Sequence, residues 1–242
     1  MKTKHVIISF LILFFFFAGS PLKALTLEDL SIEGGYVLGI PKDSLIEAAK
    51  GPGYEISFRW RVSNTLSLLV SSGHWYLAID QENAHKILDW PYWRQIYGAV
   101  VYQADMDPIY DVTIEPRQDL KIKPFELGIS WQNSKSTPFQ IGGTLSGGYV
   151  WYQRQLYIEE FWDKYFPTID YTFSYDFQNR SDAKKGYLWA VTPAAFASYH
   201  LSDAISLSMT VKWKCYFPHG KNADFFPLKN HYRLSCAIHF LY

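Results

Sequence analysis

Several segments of the chain alternate between apolar and polar residues at every second position. In the segment 205–217 the apolar parity consists of Ile205, Leu207, Met209, Val211, Trp213, Cys215 and Phe217. The same alternation appears at 30–40, 54–62, 139–151 and 231–242. Because successive side chains of a β-strand point to opposite faces, each segment predicts a strand with one apolar and one polar face.

The charged residues keep to one face of these five segments. The apolar parity contains 31 positions without a charge, and the opposite parity contains 26 positions with seven charges. Charged residues make up 19% of the chain, so an even distribution would put about six on the apolar parity. The segregation is therefore a property of the fold.

Three further segments, at 66–79, 125–131 and 187–199, are less regular. In the first, the apolar parity changes between Val70 and Trp75, and a β-bulge near Ser72-Gly73 would explain the change. The predicted total is eight strands. Their connections alternate in length: the short ones are 63–65, 132–138 and 200–204, and the long ones are 41–53, 80–124, 153–186 and 218–230.

The length of the strands and the position of the aromatic residues indicate which face meets which solvent. Strands of about 9–13 residues suit a tilted crossing of a bilayer, where the apolar face contacts lipid. Aromatic residues concentrate near the strand ends, as in interfacial girdles: Tyr36, Tyr54, Trp60, Trp131, Tyr149, Trp151, Trp189, Tyr199, Trp213, Phe217, Tyr232 and Tyr242. The alternative is a soluble exported sandwich or lipocalin-like barrel with the apolar face inside.

The predicted fold class is all-β: a closed antiparallel transmembrane β-barrel of eight strands with long extracellular loops. Ten strands are the alternative, if Gly98–Pro116 forms a spanning hairpin that turns at Asp105–Pro108. In the eight-strand interpretation this hairpin and the alternating segment Ile169–Phe177 are extensions above the membrane.

The N-terminus predicts export. A basic start is followed by the apolar run Val6–Gly19 and by a plausible cleavage site after Ala24, so residues 1–24 are expected to form a signal peptide and 25–242 the barrel domain. Without residues 1–24 the chain has 20 basic and 23 acidic residues and no basic stripe. We therefore expect no nucleic-acid partner.

A signal peptide, eight alternating strands, short turns on the side of the termini and a last strand that ends in an aromatic residue resemble small bacterial outer-membrane β-barrels of the OmpW-like and OmpA transmembrane-domain type. The resemblance covers residues 25–242 and implies location in the bacterial outer membrane, contact with its lipid and insertion by the barrel-assembly machinery. It also implies that the last strand is the targeting strand, with Tyr232, Leu234, Ile238, Phe240 and Tyr242. Such families usually end in Phe, whereas this chain ends in Tyr242.

The charges of the polar faces are expected to form a network in the lumen: Glu33, Glu55, Arg59, Arg61, Glu126, Lys212, Lys214, Arg233 and His239. An eight-stranded barrel has room for side chains and little more, and isolated buried charges are costly, so these groups should pair. Strand adjacency predicts that Glu33, Arg59 or Arg61, and His239 lie together near the periplasmic end. The network is either a plug or the gate of a narrow pore.

Catalysis is the alternative from another class. His200-Leu201-Ser202 faintly resembles the His-x-Ser of lipid A deacylases, and His85, Asp89, Asp105 and Asp107 lie in the region where omptin-like proteases carry Asp and His. Neither set matches a full motif, so a non-enzymatic protein is expected, with an outer-membrane hydrolase or protease as the alternative. The seven histidines are dispersed, and no metal or other cofactor is expected.

The long connections carry exposed aromatic clusters, among them Trp90–Trp93, Phe161-Trp162 and Tyr171–Tyr175. They predict a structural or surface-interaction role through an extracellular ligand, unless the rings pack on one another as a cap or contact lipid headgroups. A narrow channel for small solutes is the other candidate function. Cys215 and Cys236 share the lipid-facing parity on neighbouring strands, as free thiols or as a cross-strand disulfide.

Overall fold

The computed structural model describes residues 26–42, 46–81, 92–133, 138–219 and 225–242. The predicted signal peptide at 1–24 lies outside the described residues, as do His85 and Asp89.

Strands dominate the described part of the chain. They are β1 (Thr26–Pro41), β2 (Ile46–Arg61), β3 (Leu66–Gln81), β4 (Tyr110–Gln132), β5 (Phe139–Phe166), β6 (Tyr171–Arg180), β7 (Lys184–His200), β8 (Ile205–Phe217) and β9 (Leu228–Leu241). Between β3 and β4, a π-helical turn (Trp93–Tyr97) leads into helix α1 (Gly98–Asp105). No helix in the described ranges is long and apolar enough to cross a membrane.

Eight of the strands form a closed antiparallel ring in the order β1-β2-β3-β4-β5-β7-β8-β9. The ring closes where β1 pairs with β9, from Asp29 opposite Leu241 to Pro41 opposite Leu228. The predicted eight-stranded closed barrel is confirmed. Thr26 and Tyr242 lie at one end of it, which we call the inner end; the opposite end is the outer end.

The apolar and polar faces of the ring are exchanged relative to a water-soluble barrel: the apolar side chains face outward and the polar ones face the lumen. On β9, the outward-facing Leu234 is 56% exposed, whereas the neighbouring Arg233 is 1% exposed and faces the lumen. The other residues of the predicted targeting strand, Tyr232, Ile238, Phe240 and Tyr242, are also exposed. An apolar wall around a polar interior suits a barrel whose solvent is lipid.

The change of parity in β3 has a different cause from the bulge that the sequence suggested. The register between β3 and both neighbouring strands is constant through Ser72 and Gly73, so that prediction was wrong. From Trp75 onward the lumen-facing residues of β3 are themselves apolar: Trp75, Leu77 and Ile79 are buried inside the barrel. The lining of the lumen therefore changes from polar to apolar toward the outer end.

Strands β4 and β5 continue beyond the outer end of the ring, and β6 lies entirely beyond it. β3 pairs with β4 only up to Gln118, and β7 pairs with β5 only up to Arg154. Residues 110–117 of β4, 157–166 of β5 and all of β6 form what we call the raised sheet. β6 and β7 both pair antiparallel with the same side of β5, one after the other along it. Their registers with β5 differ by one residue.

The raised sheet occupies much of the predicted long connections 80–124 and 153–186. The expected hairpin at Gly98–Pro116 is wrong in its first arm, which is helix α1. Its second arm is the start of β4. The ten-strand alternative required this hairpin to span the membrane and is therefore also wrong, because α1 packs on the raised sheet and does not enter the ring.

The inverted wall generates a prediction about stability. Leu234→Arg should destabilise the folded barrel by roughly 2–4 kcal/mol, because a charge on the lipid face near mid-depth loses its hydration. Reversible urea unfolding in phospholipid vesicles measures this change. The control is Phe173→Arg on the exposed raised sheet, which should shift stability by about 0.5 kcal/mol or less. Equal costs at both positions would contradict a lipid-facing wall.

Candidate functional site

The middle of the lumen contains a cluster of four charged side chains from four adjacent strands. β1 and β2 supply Glu33 and Glu55, and β8 and β9 supply Lys212 and Arg233. Lys212 Nζ lies 2.7 Å from Glu33 Oε2 and 2.8 Å from Glu55 Oε1. Arg233 lies 3.0 Å from Glu33 Oε1 through Nη2 and 2.7 Å from Glu55 Oε2 through Nη1. Each carboxylate thus contacts both cations, and the four charges cancel.

Glu126 forms a second, separate ion pair at the opposite side of the lumen. Lys214 Nζ, 1% exposed, lies 2.7 Å from Glu126 Oε1. The hydroxyls of Ser146 and Thr192 donate to the same carboxylate at 2.9 and 3.0 Å. Because a buried carboxylate needs several donors to offset its lost hydration, the small polar residues of β5 and β7 complete this pair.

A third group of charges lies at the inner end of the barrel. Asp29 is 3.5 Å from Arg59 Nη1 and 3.5 Å from His239 Nδ1, and Glu28 is 3.3 Å from Arg61 Nη2. A cavity of about 10 Å³, room for roughly one water molecule, is lined by Glu28, Asp29, Arg59 and His239 among others.

The charges therefore form three separate groups in the lumen. The structure brings Arg59 and His239 together at Asp29 and places Glu33 with Glu55, Lys212 and Arg233. Glu28 and Asp29 precede the alternating segment 30–40, so sequence reasoning missed them, although the adjacent acids in "TLEDL" were visible.

An apolar layer covers the charged cluster on its outer side. The Arg233 guanidinium lies 4.4 Å from the centroid of a Trp75 ring, which joins the two layers. Above it the lumen is filled by buried side chains of the surrounding strands: Val37, Leu77, Leu120, Ile122, Val150, Leu188 and Leu228. Phe226, from the link between β8 and β9, packs on Tyr152 and Tyr216 with ring centroids 5.0 and 4.6 Å away. The outer half of the lumen is thus packed like a protein core.

The raised sheet has an interior of its own. Helix α1 and the π-helical turn cover one face of it, where Trp93, Val101, Val112, Leu156, Ile158 and Trp162 are buried. Glu160 is fully buried there and accepts hydrogen bonds from Tyr97 Oη at 3.1 Å, Trp162 Nε1 at 2.9 Å and Asn179 Nδ2 at 2.5 Å. Burial, together with the negative charge of Glu160 and the hydrogen bond to it, raises the pKa of Tyr97 to about 12.

Beyond the helix, the tip of the raised sheet exposes large apolar side chains. Four are aromatic and one is aliphatic, and together they form what we call the apolar tip: Tyr165, Phe166, Tyr171, Phe173 and Ile169. Lys164 Nζ lies 5.1 Å from the ring centroids of both Tyr110 and Phe166. The rings continue along β6 as stacked neighbours, with Phe173 and Tyr175 5.6 Å apart. A row of exposed rings outside the membrane is a surface that suits binding.

The backbone of β6 presents an open edge. The Ser181 N–H donates to Leu156 O at 2.9 Å, and the Tyr165 N–H is directed away from β6 to Ile109 O at 2.8 Å. Bonding alternates along an antiparallel strand, so the odd-numbered residues of β6 bond to β5. The even-numbered residues direct N–H and C=O to the other side, where no strand of the described ranges pairs with β6: Thr172, Ser174, Asp176, Gln178 and Arg180.

Three of the candidate catalytic residues, Ser202, Asp105 and Asp107, take part in turns, whereas His200 is the last residue of β7. The Ser202 hydroxyl accepts the N–H groups of Ala204 and Ile205 at 3.3 and 3.2 Å, as expected of turn chemistry. Asp105 and Asp107 accept backbone N–H groups of Val112 and Ile109 at the start of β4. Within the described ranges, no cluster of three or more His, Cys, Asp or Glu side chains could hold a metal ion.

The two cysteines are free thiols. The register of β8 and β9 places Cys215 opposite Asn230 and Cys236 opposite Met209, so they are not cross-strand neighbours.

The closed ring, the apolar outer wall and the paired charges of the lumen define a small transmembrane β-barrel protein. Neisserial surface protein A is a similar solved structure, with a TM-score of 0.42 and 12% identity over 88% of this chain and 97% of that one. Ail, the attachment invasion locus protein of Yersinia pestis, has a TM-score of 0.43 and 10% identity over 89% and 100% of the two chains. The outer membrane protein OprG of Pseudomonas aeruginosa has a TM-score of 0.40 and 10% identity over 90% of this chain and 95% of that one.

No protein-family model and no curated protein sequence matches this chain.

The central cluster generates a prediction about its energetics. Arg233→Met should destabilise the barrel by about 3–5 kcal/mol, because Glu33 and Glu55 then share one cation in a buried site. The double variant Glu55→Gln with Arg233→Met should regain most of that loss, since Glu33 and Lys212 remain a balanced pair. Urea unfolding in vesicles measures both; additive costs would contradict the coupling.

Proposed function

We propose that this chain is an integral protein of the bacterial outer membrane whose barrel is a closed, non-enzymatic anchor. In this proposal the raised sheet is the working part, and it binds an extended segment of an extracellular protein. An apolar wall around a closed ring suits the hydrocarbon of a membrane, where every backbone group has to be paired. The raised sheet lies outside that environment and carries the exposed rings and the open strand edge.

The open edge of β6 is the observation that carries the proposal. An exposed strand edge offers a row of N–H and C=O groups at the spacing of a partner strand, and addition of a strand to such an edge is a common mode of peptide recognition. Of the residues whose backbone groups point to the open edge, Thr172, Ser174 and Gln178 are uncharged. Asp176 and Arg180 add one negative and one positive charge. Such an edge is poorly protected against pairing.

The aromatic side chains beside the edge favour an extended peptide as the occupant. Tyr171 and Phe173 lie on the face of the sheet that α1 covers lower down, and at the tip they are exposed. An added strand would place every second side chain beside these rings, where aromatic pairs stabilise a sheet. Backbone bonds would supply affinity and the rings would supply selectivity.

A solute channel has less support from the same contacts. The central cluster and the apolar layer above it fill the described lumen in two successive layers. Opening a path would require both the separation of buried ion pairs and the removal of packed rings such as Trp75 and Phe226.

Conductance tests the closed lumen. Purified protein inserted in a planar lipid bilayer should give no current steps above the lipid baseline, because the charged cluster and the apolar layer fill the described lumen. Its folded state is checked by heat-modifiable mobility on a detergent gel. Regular single-channel steps from the folded protein would contradict a closed anchor and favour the channel.

A single proline substitution in β6 tests the open edge. Ser174→Pro removes an N–H that the β5–β6 ladder does not use, so β6 should persist while strand addition weakens roughly five- to tenfold. The probe is a synthetic decapeptide with the sequence of residues 157–166, the natural neighbour of β6. Its binding to the detergent-solubilised protein is measured by fluorescence anisotropy.

Ser174→Val is the matched control, because it changes the side chain and keeps the N–H; it should bind the peptide like the parent protein. Equal binding by the proline and valine variants would contradict strand addition at this edge. Dimerisation of the parent protein that Ser174→Pro abolishes would assign the edge to a second copy of the chain.

A further inference from the structure

The outer wall of the barrel contains a groove that the anchoring role does not use. It has a volume of about 380 Å³ and lies on β2, β3 and β4, where Tyr54, Ile56, Phe58, Val70, Ser72 and Phe125 line it. The volume is within the range of roughly 300–1,000 Å³ that small-molecule sites have. Since this wall faces lipid, the groove opens toward the membrane and not toward the lumen.

The pairing of the three strands explains the groove. Ser72 of β3 lies opposite Ile56 on one side and opposite Phe125 on the other, so a small side chain separates two large ones. Neighbouring strands are about 4.8 Å apart, which puts the two large side chains about 10 Å apart. At the adjacent Gly73, a Cβ atom would come within 2.4 Å of Tyr54 O, so glycine is required by the close approach of β2.

The floor of the groove is apolar although Ser72 lies in it. The Ser72 hydroxyl donates to Pro124 O at 3.1 Å, so its polar hydrogen is bonded within the wall. The sides are aromatic and aliphatic carbon. This lining suits a hydrocarbon chain and offers little to a polar ligand.

Cationic side chains stand at the outer end of the groove. Lys121 lies opposite Tyr76, with its Nζ 5.5 Å from the centroid of that ring. The ring of His74 stacks on Tyr76 at 4.3 Å. Lys123 is exposed on the same face of β4, two residues from Phe125, which is about 7 Å along the strand. The cations thus lie on the headgroup side of the apolar groove.

We propose that this groove binds one phosphate-bearing lipid of the outer leaflet, with an acyl chain beside Ser72 and the phosphate at Lys121 and Lys123. The proposal rests on the outer-membrane location in the proposed function and goes beyond it in naming a specific lipid site. A lipid has the two parts that the site presents in the same order, a hydrocarbon chain next to a negative charge. Lysines near a membrane surface each favour anionic lipid measurably.

Lipid titration in detergent solution, read by native mass spectrometry, tests the site. The probes are bisphosphorylated lipid A and its dephosphorylated counterpart. The parent protein should retain one molecule of the phosphorylated probe and should bind it more tightly than the dephosphorylated probe. Lys121→Gln with Lys123→Gln should lower that affinity roughly tenfold or more and remove the preference. Ser72→Trp, which fills the groove, should reduce the binding of both probes.

Matched controls lie on other strands of the same wall. Lys185→Gln with Lys229→Gln removes two exposed cations from β7 and β9, and Ala195→Trp adds an indole to the exposed face of β7. Both should bind like the parent protein, and excess inorganic phosphate should not displace the lipid. Displacement of the lipid by phosphate would indicate a site for the free anion. Equal binding by all variants would mean that the wall contacts lipid without a specific site. Either result overturns the proposal.

Folding and insertion into vesicles are measured first by heat-modifiable mobility. A protein that inserts and shows no preference between the probes contradicts the lipid site alone. A protein that fails to insert contradicts the membrane anchor on which the site depends.

Discussion

Pairing of every backbone N–H and C=O is the constraint on which the rest of the structure depends. In hydrocarbon no water replaces a missing partner, so the sheet has to close on itself, and it does so where β1 meets β9. Closure with eight strands leaves an interior wide enough only for side chains. The contents of the lumen follow from that width, because residues that alternate inward have to fill it and satisfy one another.

The narrow lumen explains why its charges come in balanced groups. Glu33 and Glu55 face Lys212 and Arg233 at 2.7–3.0 Å, and Glu126 has Lys214 and two hydroxyl donors. A charge left over in such a site would cost several kcal/mol, of the order of the whole stability of a domain. Toward the outer end the barrel avoids that cost altogether by an apolar filling around Trp75 and Phe226. Two different solutions to the same packing problem thus fill the part of the lumen that the structure describes.

The same constraint shows how much of the fold the sequence could predict. Period-2 alternation predicts the eight ring strands because one face meets lipid and the other meets a polar interior, and the inward side of Arg233 or Glu126 follows directly. The prediction fails where the inner face becomes apolar, since Trp75, Leu77 and Ile79 then carry the pattern on the other parity. Pairings such as Arg233 with Glu55 depend on register across the closing seam, which no local pattern contains. Phe226 lies in a connection without periodicity, and Gly98–Asp105 is helical because its apolar residues pack on the raised sheet.

Leaving the membrane relaxes the constraint, and the raised sheet shows what the chain does with that freedom. Water can satisfy an unpaired backbone group, so β6 can end the sheet with an open edge that would be untenable within the ring. A sheet without a closed ring needs another source of stability, and helix α1 supplies it by covering the face around Trp162 and the buried Glu160. The helix stops short of the tip, where Tyr171 and Phe173 remain exposed beside the edge. The barrel therefore fixes the position of the sheet, the helix fixes its shape, and the part that neither covers is the part available to another molecule.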